Sequence, residues 1–239
     1  MPILEGEGVT KHFGGLAAVS RVDFCVEEGE VVGLIGPNGA GKTTLFNVIS
    51  GALVPKAGAI RFSGQDIAGM KPHSICRMGL ARTFQSVKVF PDLPVAENVY
   101  LGSMFGRPGR TSATEAGEDV TNLLEFVGLA DVRGTPAGDL QLANQKRLEV
   151  ARALATHPRL LLLDEVMAGL NPTEVAEAMD LVTRIRDQGI TIFMIEHVMK
   201  AIMTICNRIM VLNHGKKIAE GTPQEIATSQ RVVEVYLGE

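Results

Sequence analysis

No stretch of the sequence approaches the roughly 18 uninterrupted apolar residues that a membrane-spanning helix requires. The longest apolar runs, such as Leu160 to Leu163, have the length of a buried strand. Any work at a membrane is therefore expected to need other chains that span it. Cysteine is scarce: Cys25, Cys76 and Cys206 are odd in number and widely spaced. That excludes a disulfide framework and a metal-binding spacing, and favours a reducing cytoplasm over secretion. The start, Met1-Pro2-Ile3-Leu4-Glu5-Gly6-Glu7, has neither a basic cluster nor an apolar run, so it is not expected to be a signal peptide. A basic excess is also missing. The net charge of −4 gives no general attraction for nucleic acid. Internal repeats are absent.

The 239 residues are 46% hydrophobic and 21% charged, a globular mixture that supports one sizeable α/β domain, or one domain with a small lobe. Short strand-like pieces open the chain, broken by Gly14-Gly15 and by the turn Glu27 to Glu30. Val31 to Ile35 reads as a buried strand, a glycine-rich loop follows, and Thr43 to Ile49 reads as a helix closed by Gly51. Gly58 to Ile67 reads as a strand and turn. From about Phe90 to Leu140 strand signals fade. Thr121 to Val127 predicts a short amphipathic helix, and Gly106 to Gly117 an exposed loop within a helical lobe. Strand character returns at Leu160 to Leu163 and at Ile190 to Ile195. Between them Asn171-Pro172-Thr173-Glu174 predicts a capped helix start with a capping box. Arg208 to Leu212 and Lys216 to Glu220 predict a terminal hairpin turning at Asn213-His214-Gly215. Alternating strands and helices imply a mainly parallel sheet covered on both faces.

The segment Gly36-Pro37-Asn38-Gly39-Ala40-Gly41-Lys42-Thr43 fits the phosphate-binding pattern in full, and Thr44 extends it. Its glycines let backbone N–H groups turn inward around phosphate oxygens, where side chains would block the approach. Lys42 offers a cation for the β- and γ-phosphates, Thr43 a hydroxyl for Mg²⁺, and the helix after it the positive end of its dipole. Asp164 and Glu165 end a second apolar strand. Ligands of open α/β sheets sit at such strand ends. Asp164 is placed to hold Mg²⁺ through water and Glu165 to orient or deprotonate an attacking water. Asp-Glu alone is a common acidic turn; the phosphate loop gives it meaning. His197, closing Ile195-Glu196-His197, is positioned for the γ-phosphate and the water. Gln85, in Arg82-Thr83-Phe84-Gln85, can touch both Mg²⁺ and the water and report occupancy to the helical lobe. Phe13 is a candidate to stack on adenine, against the plainer reading of a core phenylalanine. Arg147 to Leu154 (RLEVARAL) carries Leu148, Ala151 and Leu154 on one helix face.

In this order the features resemble the nucleotide-binding subunits of ABC transporters over essentially the whole chain. The residues that carry the resemblance are GPNGAGKTT (Gly36 to Thr44), Gln85, RLEVARAL, LLLLDE (Leu160 to Glu165), AGLNP (Ala168 to Pro172) and Glu196-His197. Lys11 to Val19, Ala168 to Pro172 and the terminus Tyr236-Leu237-Gly238-Glu239 resemble the ATPase subunits of branched-chain amino-acid importers. The resemblance implies an ABC-type P-loop fold with an N-terminal antiparallel part and an inserted helical subdomain. Residues 1–86 and 151–239 would form the core, and 87–150 the helical subdomain with the signature segment. It implies ATP and Mg²⁺ as ligands. It also implies a second ATP-binding subunit, two membrane permease subunits and an extracytoplasmic substrate-binding protein reached through them. Nucleic acid is not an expected partner, and the expected location is the cytoplasmic face of the inner or plasma membrane. The alternatives are an ABC ATPase for another cargo (amide or aromatic-acid import, lipid or lipopolysaccharide export) and a low-turnover regulatory subunit.

The chain departs from the family in its signature. Where Leu-Ser-Gly-Gly-Gln is expected, ungapped alignment gives Leu140-Gln141-Leu142-Ala143-Asn144. In the family this segment contacts the partner subunit's ATP. Gln141 can replace serine as a donor, Ala143 is small enough for close approach, and Leu142 is the awkward residue. This implies the weaker half of an asymmetric pair. Val166 replaces the usual proline after Asp-Glu, which is expected to cost a rigid turn but no chemical group.

Overall fold

Period-two burial shapes the first two strands. Val22, Phe24 and Val26 are buried, and Asp23 and Glu27 face water. The computed structural model describes residues 2–106 and 113–237. In it β1 (Pro2–Phe13) and β2 (Leu16–Glu27) form an antiparallel hairpin that turns at Gly14-Gly15, with Phe13 opposite Leu16. The pieces expected to be short are thus the longest strands of the chain. The fully buried β3 (Val31–Ile35) leads through the glycine-rich loop into α1 (Lys42–Ile49). Two more strands, β4 (Ala57–Phe62) and β5 (Gln65–Asp66), precede α2 (Pro72–Met78) and β6 (Leu80–Arg82). Helices α3 (Val95–Phe105), α4 (Ala113–Val127) and α5 (Leu142–Leu154) follow. The chain continues as β7 (Leu160–Asp164), α6 (Pro172–Asp187), β8 (Thr191–Ile195), α7 (Met199–Ile205), β9 (Arg208–Asn213) and β10 (Lys216–Gly221). It closes with α8 (Pro223–Thr228) and α9 (Gln230–Leu237).

The strands form two sheets. One is four-stranded and antiparallel, in the order β2-β1-β4-β5. The other is six-stranded, in the order β10-β9-β3-β8-β7-β6, parallel throughout except where β10 returns beside β9. Alternation along each parallel strand divides its side chains between two cores. Val31, Ile35, Leu161 and Leu163 enter a cluster with α3 to α7. Val32, Leu34, Leu160 and Leu162 enter a second with α1 and the antiparallel sheet. Phe193 centres the second core, its ring 5.0 Å from Phe46 and 6.3 Å from Phe24. No helix among the described residues is long and apolar enough to cross a membrane.

Three expectations need correction. Part of the predicted loop at 106–117 is helix: α4 begins at Ala113, and residues 107–112 lie outside the described set, as do Gly238 and Glu239. Val120, Leu124 and Val127 are buried at helical spacing, so the face expected from Thr121 reaches further back. Gly117 lowers helix propensity without ending the helix. The hairpin of β9 and β10 is not terminal, because α8 and α9 follow it. Its loop, His214-Gly215, has φ of 45° and 73°, the primed two-residue turn that fits twisted strands. Finally, the chain segment after Glu165 still turns despite Val166. Ala168 N donates to Glu165 O at 3.2 Å, and the Val166 side chain is buried.

Asn171 caps α6 as its sequence predicts. Its side chain accepts from Thr173 N and Glu174 N at 3.0 Å each, while Glu174 Oε2 accepts from Asn171 N at 2.8 Å. Asn171→Ala is expected to lower unfolding free energy by about 1 kcal/mol in urea titration. Unchanged stability would mean that the cap contributes nothing.

Candidate active site

Because β3, β6, β7 and β8 run parallel, their carboxyl ends lie at one edge of the sheet. The loop from Gly36 to Thr44 leaves β3 there. Two of its glycines are demanded by packing. A Cβ on Gly36 would lie 2.1 Å from Leu212 O, and one on Gly41, at φ +103°, would lie 2.2 Å from Ala18 O. Gly39, at φ +75°, has nothing within 4 Å of its Cβ direction and opens to solvent with Asn38, while Pro37 is half-buried. Ala40 is buried and pinned from both sides, donating to Pro37 O at 3.1 Å and accepting from Gly215 N at 2.9 Å. Gly41 is the N-cap of α1 and supplies no side-chain cap, so the helix start is left for an outside acceptor. Lys42 folds back over the loop, its ammonium donating to Gly36 O at 2.6 Å and Pro37 O at 3.0 Å. Burial lowers its pKa, against the pull of Glu165 and Asp164. Thr43 and Thr44 are half-buried in the first turn.

The carboxylates stand opposite. Asp164 ends β7 at 1% exposure. Its Oδ2 pairs with Arg82 at 2.8 Å, and Arg82 also donates to Asn47 and Ser50. The other oxygen, Oδ1, is buried with no hydrogen-bond partner. Burial raises the Asp164 pKa, opposed mainly by Arg82. Glu165 follows at φ +53°, a strained setting for a residue with a side chain. Its backbone is held on both sides, N donating to Ile195 O at 2.9 Å and O accepting from Lys146 Nζ at 2.8 Å. Its carboxylate lies between two of the predicted partners. Gln85 Nε2 donates to Oε2 at 2.9 Å, and His197 Nε2 faces Oε1 at 3.0 Å. Gln85, Glu165 and His197 thus meet from the ends of β6, β7 and β8.

Other predicted residues are dispersed. Phe13 is not a core residue; it is 48% exposed at the hairpin tip, with Lys11 Nζ 5.6 Å from its ring centre. Gln141 is the N-cap of α5, and its side chain makes no cap hydrogen bond. Leu142 is 44% exposed, and Ala143 and Asn144 are half-buried in the first turn. A Cβ on Gly169 would lie 3.2 Å from Leu142 Cδ2, so this leucine rests on the turn after Glu165.

Sequence reasoning missed four charged residues. Arg82 is one. Glu196 is 1% exposed and accepts from Met167 N at 2.7 Å and His197 N at 3.3 Å, with burial pushing its pKa up to about 7. Lys146 and Glu149 are buried on α5. The only sequence signal for any of them is position within or beside a motif: Glu149 within RLEVARAL, Glu196 beside His197, Lys146 just before Arg147 and Arg82 three residues before Gln85. Beside Gln85 there is also a cavity of about 440 Å³ between β6 and helices α3 and α5, lined by Phe84, Phe90, Leu101 and Arg152 among others.

Residues 19–168 match the ABC transporter family, and residues 216–239 match a segment described as branched-chain amino acid ATP-binding cassette transporter. The chain is 43% identical to the high-affinity branched-chain amino acid transport ATP-binding protein BraF of Pseudomonas aeruginosa, over 100% of this chain and 98% of the relative. It is 39% identical to LivG of Escherichia coli, which bears the same description, over the same shares. Among solved structures it is similar to an ATP-binding cassette of an ABC transporter in its ADP conformation. That likeness has a TM-score of 0.90 at 32% identity and covers 100% of both chains. A nucleotide-free cassette gives 0.91 at 32%, again over 100% of both. Fold, phosphate loop and family likeness agree: the chain belongs to the ABC transporter family, as an ATP-binding and ATP-hydrolysing subunit.

Proposed function

We propose that this chain binds Mg·ATP on the Gly36–Thr44 loop, hydrolyses it with Glu165, and drives import of branched-chain amino acids through membrane partners. The observation that carries the hydrolytic part is the Glu165 carboxylate, held between Gln85 and His197 and facing the buried charge of Lys42. Glu165 takes a proton from the attacking water. His197 holds that carboxylate from one side and reaches the γ-phosphate, and Gln85 steadies the other side and senses occupancy. An ammonium has three donors; Lys42 spends two on loop carbonyls, which leaves one for a phosphate oxygen. Phe13 stacks on adenine. This division of labour suits phosphoryl transfer to water, which needs positioning and charge stabilisation more than covalent chemistry.

The residues present fit Mg²⁺. Asp164 Oδ1 is a buried acceptor without a partner, the atom that a metal-bound water would satisfy. Thr43 and Gln85 supply neutral oxygens, and phosphates complete the hard-oxygen set. Held there, Mg²⁺ would neutralise negative charge on the phosphate oxygens. Arg82 leaves Oδ1 free by binding only Oδ2, so it opposes the rise that burial gives the Asp164 pKa without filling the metal's place.

The names of BraF and LivG, and the match at residues 216–239, support the choice of cargo. We assign residues 1–86 and 151–239 to a nucleotide-binding core and 87–150 to a helical part. Gln141 to Asn144 close on the nucleotide of a second ATP-binding subunit. The cavity beside Gln85, with Phe84 and Phe90 exposed, takes a cytoplasmic loop of a permease subunit. The chain then works at the cytoplasmic membrane face, with a substrate-binding protein on the far side.

Glu165→Gln is expected to keep nucleotide affinity and to lose turnover by about 10²-fold or more, read from phosphate release alongside binding of a fluorescent ATP analogue. Full turnover would remove Glu165 from its role. Arg82→Leu leaves Asp164 buried and unpaired, which is expected to cost about 3–5 kcal/mol in urea unfolding without nucleotide. A smaller loss with Mg·ATP present is the accompanying sign; equal losses would argue against metal binding beside Asp164. In vesicles holding the chain with its permease subunits, leucine with its binding protein is expected to stimulate ATP hydrolysis. Stimulation by an amide or aromatic acid instead would reassign the cargo.

A further inference from the structure

Lys146, Glu149 and Arg152 stand at positions i, i+3 and i+6 of α5 and therefore share one face. That face is turned inward: Lys146 is 7% and Glu149 5% exposed. Glu149 Oε1 accepts from Phe84 N and from Lys88 N, each at 3.3 Å, so one carboxylate oxygen grips the backbone on both sides of Gln85. Arg152 donates to the carbonyl of Lys88 and lies 4.8 Å over the Phe90 ring, which fixes the outgoing end of the same loop. One helical turn earlier, Lys146 donates to the carbonyl of Glu165. Gln85 itself reaches the Glu165 carboxylate. The contacts close on themselves, running from Glu149 through the Gln85 loop to Glu165 and back through Lys146 to α5.

We infer that Glu149 is a positioning residue for hydrolysis, holding Gln85 against Glu165 at a distance set by α5. The inference rests on the proposed roles of Gln85 and Glu165 and adds how their separation is maintained. A merely well-packed helix would not need this carboxylate. Burial pushes the Glu149 pKa up and the Lys146 pKa down, so an apolar pair of similar volume would pack at lower cost. Its bonds also run to backbone N–H groups of one loop, the arrangement that sets a loop's position while leaving its side chains free. Fixing the loop at both flanks matters because a displacement of about 1 Å at a catalytic group costs up to about a hundredfold in rate.

The test compares Glu149→Leu, Glu149→Asp and Glu149→Gln in the full chain by steady-state Mg·ATP hydrolysis, each also in a Gln85→Ala background. Thermal unfolding checks that each variant is folded. Leucine removes the acceptor, aspartate withdraws it by one methylene, and glutamine keeps a carbonyl oxygen able to accept both bonds. The expected result is a kcat about tenfold lower for the leucine and aspartate variants, with KM changed less than about twofold, and recovery to within about twofold in the glutamine variant. In the Gln85→Ala background the Glu149 substitutions are expected to cost nothing further, since their effect passes through Gln85. Wild-type kcat in the aspartate variant, or the same fractional loss with Gln85 already removed, would overturn the inference. If the leucine variant does not fold, the aspartate and glutamine variants carry the comparison. Gln85→Ala with full turnover would instead overturn the role of Gln85 on which the inference stands.

Discussion

The register of four parallel strands decides which side chains can meet. Arg82 pairs with Leu162, Asp164 with Ile195, and Leu34 also with Ile195, so β6, β7, β8 and β3 finish almost level. The segments that follow leave from this one edge of the sheet and carry Gln85, Glu165, His197 and the phosphate loop with them. A slip of one residue in any pair would turn the buried leucines of β7 to the opposite core and move Asp164 off the edge. The two apolar cores, divided by alternation along each strand, hold that register. Packing far from the nucleotide therefore sets the geometry beside it.

That geometry gathers an unusual amount of buried charge. Lys42, Asp164, Lys146, Glu149 and Glu196 are all buried, at 7% exposure or less, and Arg82 is buried against Asp164. Each charge is costly to bury, and pairing offsets only part of the cost. The pKa values of Asp164, Glu149 and Glu196 rise and those of Lys42 and Lys146 fall, all chiefly through burial. Glu165 adds backbone strain at φ +53°. The buried charges therefore suit a ligand that brings compensating charge, as the proposed Mg·ATP would. In the proposed function phosphates would relieve the buried ammonium of Lys42, and a metal-bound water would satisfy the unpartnered oxygen of Asp164.

What could be read in the sequence was what is local. The phosphate loop is contiguous, two of its glycines, Gly36 and Gly41, are forced by approaching carbonyls of Leu212 and Ala18, and its pattern survives without knowledge of either. Asp164, Glu165 and His197 end apolar strands, and Asn171 begins a helix with its own capping partner three residues on. Arg82, Lys146, Glu149 and Glu196 could not be read in this way. Their partners are distant in sequence, Asp164 for Arg82 and the Gln85 loop for Glu149, and a charged residue on a helix ordinarily reads as a solvated face. The short β6 escaped for the related reason that so few residues carry no period. The extent of α4 was missed because Gly117 and the polar residues around it mask a buried stripe that only the packed neighbours reveal.

The altered segment Leu140 to Asn144 gains a second meaning from α5. Its residues begin that helix, and the same helix, within two turns, holds the backbone of Glu165 through Lys146 and the Gln85 loop through Glu149. A helix of 13 residues is stiff on this scale, so a shift at its first turn reaches both contacts. Leu142 also rests against Gly169, in the turn that follows Glu165. The segment proposed to face a partner's nucleotide is thereby joined through α5 to the backbone of Glu165, the proposed catalytic carboxylate. Replacing serine and two glycines by Gln141, Leu142 and Ala143 therefore changes more than the surface offered outward. Under the proposed role of Gln141 to Asn144, the departure from the family signature therefore also bears on the α5 contacts to Glu165 and to the Gln85 loop.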